Sequence, residues 1–386
     1  MKYDFDEEVA RRGTGCVKWD EAPSADVIPL WVADMDFKAA PAIQEAIAKR
    51  AAHGVFGYAV VEDDYYEAVI SWFQRRHDWN IQRDEILYTT GVVPAMSVAI
   101  KALTMPGEKV LFLSPDYNCF FSSVRNNGCE VLETALKRVG DTFEVDWADF
   151  EAKCADEKTT VFLLCNPHNP CGRVWSKTEL MQMNDICLKY GVKVVSDEIH
   201  CELVMPGHKF QPFAAVSEAC RQNSVILNSP SKSFNIAGLQ VANIICSQPS
   251  WRRRLDRAIN INEVCDVNPF APVALKAAYN DSEDWIDELN QYLWGNYQML
   301  CEFIETNMPQ WKVCKLEGTY LPWVDISKMG VTAQSLCDRL LKDAKVWLNP
   351  GTMYGPQSGE GYVRINIATQ RSRLKEALNR IKQVMI

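Results

Sequence analysis

The chain has 386 residues, of which 47% are hydrophobic and 24% charged, ordinary values for a soluble globular protein with a sizeable core. Its 41 basic and 50 acidic residues leave a net charge of −9, which argues against a general nucleic-acid surface, because such a surface needs clustered positive charge. The 14 cysteines include no C-x-x-C pair, the acidic N-terminus lacks an apolar signal region, and no apolar run approaches the ~20 residues of a membrane span, so reduced thiols in a cytoplasmic protein are expected.

An irregular aromatic segment, Trp31-Val32-Ala33-Asp34-Met35-Asp36-Phe37, precedes the first helix, expected from Pro41 to Arg50. A second helix is expected over 62–77, with Tyr65, Val69, Trp72 and Phe73 at helical spacing. From residue 86 short apolar runs alternate with longer amphipathic stretches. The runs are Ile86–Tyr88, Val110–Leu113, Val131–Leu136, Val161–Cys165, Val192–Val195, Val225–Leu227 and Val241–Cys246. Such a pattern predicts βαβ units and a mainly parallel sheet flanked by helices, an α/β fold. Beyond about residue 285 helices dominate, with a short strand at Val363–Ile367 and an amphipathic helix from Arg371 to the end.

Ligands of open α/β sheets bind outside the carboxyl ends of the strands. After the first run comes Thr89-Thr90-Gly91-Val92-Val93-Pro94; Gly91 permits a tight turn, and a helix opening at Pro94 would present free N–H groups to an anion. After the second comes Ser114-Pro115-Asp116-Tyr117, and after the fourth Asn166-Pro167-His168-Asn169-Pro170, where two prolines hold Asn169. Asp197 ends the fifth, where an isolated carboxylate is costly unless paired. The sixth leads into Asn228-Ser229-Pro230-Ser231-Lys232-Ser233-Phe234-Asn235. Each taken alone reads as an ordinary loop, cap or surface lysine. Together they supply a carboxylate for a protonated ring nitrogen, a polar group for a phenolic oxygen, N–H and hydroxyl groups for a phosphate, and an amine for an aldehyde.

With these motifs the sequence resembles, over nearly its whole length, the fold-type I pyridoxal-phosphate enzymes of the class I/II aminotransferase superfamily. The segments Trp31–Phe37, Asn166–Pro170, Asp197–His200 and Lys232–Gly238 are similar to those of the MalY/PatB group of cystathionine and cysteine-S-conjugate β-lyases. The resemblance implies that Lys232 bonds covalently to pyridoxal 5′-phosphate, that Asp197 pairs with its ring nitrogen, and that Asn169 bonds its phenolic oxygen. Tyr117 would stack on the ring, at the edge of the substrate pocket. The Gly91 turn with the N–H groups of Val92 and Val93, and the hydroxyls of Ser229 and Ser231, would hold the phosphate. Tyr58 would reach the phosphate bound by a second subunit, giving a homodimer with a shared active site. Arg364 would clamp the α-carboxylate of an amino-acid substrate.

Two positions depart from the common aminotransferase pattern: His200 stands where a tyrosine near the phenolic oxygen is usual, and Gln240 where a phosphate-binding arginine is usual. His200 agrees with the β-lyase group. The implied organisation is a large cofactor domain over 46–285 and a smaller domain from 1–45 and 286–386. The implied activity is α,β-elimination of cystathionine or another S-substituted L-cysteine, releasing thiol, pyruvate and ammonia. An aminotransferase using a 2-oxo acid is the rival on the same fold. No metal, nucleic acid or membrane is expected as a partner. Cys165, Cys171 and Cys201, which flank the cofactor loops, are expected to pack rather than react.

Overall fold

The computed structural model describes residues 2–261 and 265–385. Its centre is a sheet of seven strands: β1 (Ile86–Thr89), β2 (Lys109–Ser114), β3 (Glu130–Ala135), β4 (Thr159–Cys165), β5 (Lys193–Asp197), β6 (Ser224–Asn228) and β7 (Ala242–Ile245). Each of the seven apolar runs supplies one strand, with ends shifted by a residue or two. The spatial order is β1-β7-β6-β5-β4-β2-β3. Every neighbour is parallel except β7, which runs antiparallel to both β1 and β6.

The runs are continuously apolar because both faces of the sheet are covered. Val110, Phe112, Val161, Leu163, Val195 and Leu227 face an apolar layer shared with the helices Val92–Leu103, Asn118–Asn126 and Pro249–Ile261. Their alternates Leu111, Leu113, Phe162, Leu164, Val194 and Ile226 face the larger core on the other side. Helix Val92–Leu103 buries Val92, Ala95, Met96, Ala99, Ile100 and Leu103, a three-and-four spacing that keeps one face on the sheet. It opens two residues before Pro94, which therefore sits third, still in the first turn where a missing N–H costs no intrahelical bond.

Helices Pro41–Ala52 and Asp63–His77 form where expected and both pack on helix Ala271–Asp281. The long helix Glu283–Asn307 precedes a second, four-stranded antiparallel sheet made of Lys312–Val313, Trp323–Asp325, Tyr362–Arg364 and Asn349–Pro350. The expected strand Val363–Ile367 is laddered only as far as Arg364. Beyond it the extended chain turns to the N-terminal segment: Asn366 N–H donates to Leu30 O (2.9 Å), and Asp36 N–H to Ala368 O (2.9 Å). That pairing lays residues 30–37 across the end of the main sheet. Helix Arg371–Met385 closes the described chain. Among the described residues no helix is long and apolar enough to cross a membrane. All 14 cysteines are free thiols, and Cys165, Cys171 and Cys201 are buried.

Candidate active site

The parallel strands open their carboxyl ends on one side, and register decides which groups meet there. Asp197, the last residue of β5, lies opposite Cys165 of β4 and Leu227 of β6. Its carboxylate is buried and accepts the Ile199 N–H (3.1 Å). Burial pushes its pKa up to about 7, against the Ile199 amide and Lys232; nearby Asp116 adds to the rise. A carboxylate so poorly compensated is suited to pair with a cation brought in by a ligand.

Lys232 lies four residues beyond β6. Its Nζ donates to the carbonyl of Ala33 (2.6 Å). Desolvation pushes its pKa down to about 8, opposed by the charges of Asp34 and Asp197 and reinforced by Arg364. A lysine with that pKa is still mostly an ammonium at neutral pH but carries far more neutral amine than an ordinary lysine, which a nucleophile or base requires.

Arg364, at the end of an interior strand of the second sheet, is only 3% exposed. Nη1 donates to Asn169 Oδ1 (3.2 Å) and Nη2 to Trp31 O (2.8 Å), and the guanidinium lies 4.6 Å from the centre of the Tyr354 ring. Its Nε is buried without a partner. His200 is also buried with Nδ1 unpartnered, and desolvation, with the charges of Lys232 and Arg364, drives its pKa down to about 3, so it is neutral. Tyr117 follows buried Asp116, whose Oδ1 accepts the Tyr117 N–H (2.7 Å) and whose Oδ2 lies 3.6 Å from His168 Nε2. Burial raises the Tyr117 hydroxyl pKa, and the Arg364 charge opposes that rise.

The antiparallel strand β7 aligns the two remaining turns. Ala242 pairs with Thr89 and Asn243 with Asn228, so the Gly91 turn and the Ser229 turn emerge at the same end of the sheet. Gly91 precedes helix Val92–Leu103, whose first N–H groups have no intrahelical acceptor. The Ser229 hydroxyl donates to Val241 O (2.5 Å) and accepts the Ser231 N–H (3.0 Å), so it shapes the turn that presents Ser231. Gln240 is exposed, with a left-handed φ of 55°. Tyr58 stands apart: its side chain is 95% exposed, within a segment whose Val55, Phe56 and Val60 are exposed too.

Reasoning from sequence singled out the Trp31–Phe37 segment without assigning it a task. The structure shows it as a strap over the site. Asn366 Nδ2 donates to the carbonyls of Val32 (2.5 Å) and Asp34 (2.7 Å). Asn235 accepts the Met35 N–H and donates to Met35 O and Phe37 O (2.8–3.0 Å). Ala33 O accepts a second donor, the Tyr320 hydroxyl (2.9 Å). Behind the strap, buried Asp36 takes Arg11 (2.9 Å), Lys18 (3.1 Å) and Trp19 Nε1 (2.8 Å), while Asp34 takes Arg11 (2.6 Å). Both asparagines lie in motifs legible in the sequence; Tyr320, Tyr354 and Arg11 carry no such signal.

The donor set fits pyridoxal phosphate. A buried carboxyl seeks a cation, an amine has a lowered pKa, an amide stands beside the Arg364 guanidinium, and two turns offer N–H and hydroxyl groups. The unpartnered Arg364 Nε leaves a donor for a substrate carboxylate. Residues 25–381 match the family "Aminotransferase class I and II". The chain is 41% identical over 385 residues to cystathionine beta-lyase PatB of Bacillus subtilis, covering 99% of each. It is 34% identical over 384 residues to protein MalY of Escherichia coli, covering 97% of each. Crystalline cystalysin from Treponema denticola, which contains pyridoxal 5′-phosphate, superposes with a TM-score of 0.96 at 33% identity, over 100% of this chain and 99% of that one. The chain belongs to the class I and II aminotransferase family of pyridoxal-phosphate enzymes, in the group that includes PatB and MalY.

Proposed function

We propose that this protein is a pyridoxal-phosphate-dependent carbon–sulfur β-lyase that eliminates a thiol from cystathionine or another S-substituted L-cysteine, leaving pyruvate and ammonia. The observation that carries the reading is the convergence of half-buried Lys232 with buried Asp197, Asn169 and Arg364 under the strap. When bound, the cofactor supplies an electron sink for the negative charge left at the substrate Cα. The chain's own residues do the rest. Lys232 holds the cofactor and, once displaced by the substrate amine, takes the Cα proton, a role its pKa near 8 suits. Asp197 keeps the ring nitrogen protonated, because that cation relieves the buried carboxylate. Asn169 orients the phenolic oxygen and is itself oriented by Arg364. Arg364 directs its free donor to the α-carboxylate, and Tyr117 covers the ring.

Neutral His200 adds no charge beside the phenolic oxygen. Val92 and Val93 N–H groups after Gly91 hold the phosphate with the Ser231 hydroxyl, and with Ser229 once it releases Val241. Tyr58 belongs to the same reading: its exposure suits a side chain that completes the phosphate site of a second subunit, in a homodimer. The division into a cofactor unit (46–285) and a smaller unit (1–45 and 286–386), and a cytoplasmic location, are further parts of it. Incubation with cystathionine should release pyruvate and thiol in equal amounts without any added 2-oxo acid. Turnover that instead requires a 2-oxo acid would identify an aminotransferase, the activity for which the wider family is named.

A further inference from the structure

The contact between Lys232 and the strap is not used by the lyase reading. The Lys232 Nζ sits 2.6 Å from the Ala33 carbonyl, and the next residue, Asp34, has one buried carboxylate oxygen, Oδ1, without any hydrogen-bond partner. The other oxygen is held by Arg11 at 2.6 Å, and Lys18 Nζ lies 3.8 Å from Oδ1. The strap is over-determined by Asn366, Asn235 and the Arg11–Asp36–Lys18 cluster, so this carbonyl and carboxylate are pre-placed rather than drawn in by the lysine. We propose that the Ala33 carbonyl and Asp34 form a rest that holds the Lys232 nitrogen as an ammonium while no cofactor is bound, making Asp34 a positioning residue for cofactor capture.

The chemistry gives this rest a consequence. Capture joins the lysine nitrogen to the aldehyde carbon with loss of one water, and it needs the nitrogen lone pair. The ammonium must first pass one proton to solvent. Asp34 opposes that release by Coulomb attraction, as does Asp197 from the sheet side; Arg364 favours it. Cys119 and Tyr320 are the other titratable groups near this pair, and neutral His200 completes the surround. Arg11 and Lys18 temper the Asp34 charge from behind.

The proposal rests on Lys232 being the cofactor lysine. Borohydride reduction of the holoenzyme followed by peptide mass spectrometry checks this separately: label on another lysine would refute that assignment and the rest with it. The test of the rest itself uses the full chain freed of cofactor, mixed with pyridoxal phosphate, with the visible absorbance of the lysine-bound cofactor followed from about pH 6 to 9. Asp34→Asn should speed capture roughly three- to tenfold at neutral pH and move the inflection acidward by about half to one unit, with the rates converging at high pH. Asp34→Glu should restore the original inflection. Arg11→Gln, which unmasks Asp34, should move the inflection the other way, and it carries the test if Asp34→Asn does not fold. An inflection that stays in place in whichever of these folds, with label on Lys232, would overturn the rest while leaving the lyase reading intact.

Discussion

Replacing Arg364 with lysine keeps the charge but removes the fork. In the structure the guanidinium divides its donors among Asn169 Oδ1, Trp31 O and an unpartnered Nε, three directions from one planar group. An ammonium is a compact point charge on a flexible stem and cannot meet these acceptors and a substrate carboxylate together. The net loss in the bound complex should be one charge-assisted hydrogen bond, about 1.5–3 kcal/mol. That corresponds to a fall in kcat/KM of about 10- to 150-fold. Steady-state pyruvate release from S-alkylcysteine measures it. The matching comparison is the thioether amine without a carboxyl group, followed by thiol release. If Arg364 clamps the carboxylate, the variant should lose little on this analogue, so the gap between the two substrates narrows. Equal losses on both would refute the clamp and leave Arg364 as a support for Asn169 and Trp31.

Lys232→Ala should abolish the visible absorbance of the bound cofactor and cut pyruvate release by at least about a thousandfold, measured on the purified variant. Burial raises the carboxyls of Asp197 to about 7 and of Glu198 to about 8, above their unfolded values, so the stability they contribute is present below about pH 4 and is lost as the pH rises towards 8. Thermal melts of cofactor-free protein should therefore show Glu198→Gln gaining more at pH 8 than at pH 5. Asn366→Ala would remove the partner of the half-buried carbonyls of Val32 and Asp34 and of the buried Ala368 N–H, costing about 2–4 kcal/mol in denaturant unfolding if the buried amide costs about 1–2 kcal/mol and each carbonyl about 0.5–1 kcal/mol. Tyr58→Ala, at a side chain 95% exposed, should weaken cofactor retention on dialysis without altering the circular dichroism of the fold.

Sequence alone determined the local part of this protein. Continuous apolar runs located all seven strands, because strands buried on both faces need no polar alternation. The polar residues that follow those runs made Asp197, Asn169 and Lys232 candidates, because strand ends are where an α/β sheet can expose chemistry. The motif that contains Asn235 and the one that contains Asn366 were legible too, but not that they grip the same strap. That depended on long-range pairing: residues 30–37 meet residues 366–368 across almost the entire chain, and no local pattern encodes such a contact. The direction of β7 was likewise invisible, since an apolar run reads the same in either orientation, yet it is what brings the Gly91 and Ser229 turns together. The shifted pKa values of Lys232, Asp197 and His200 also belong to tertiary structure alone. They come from desolvation and from neighbours distant in the chain, which only the folded packing brings within reach.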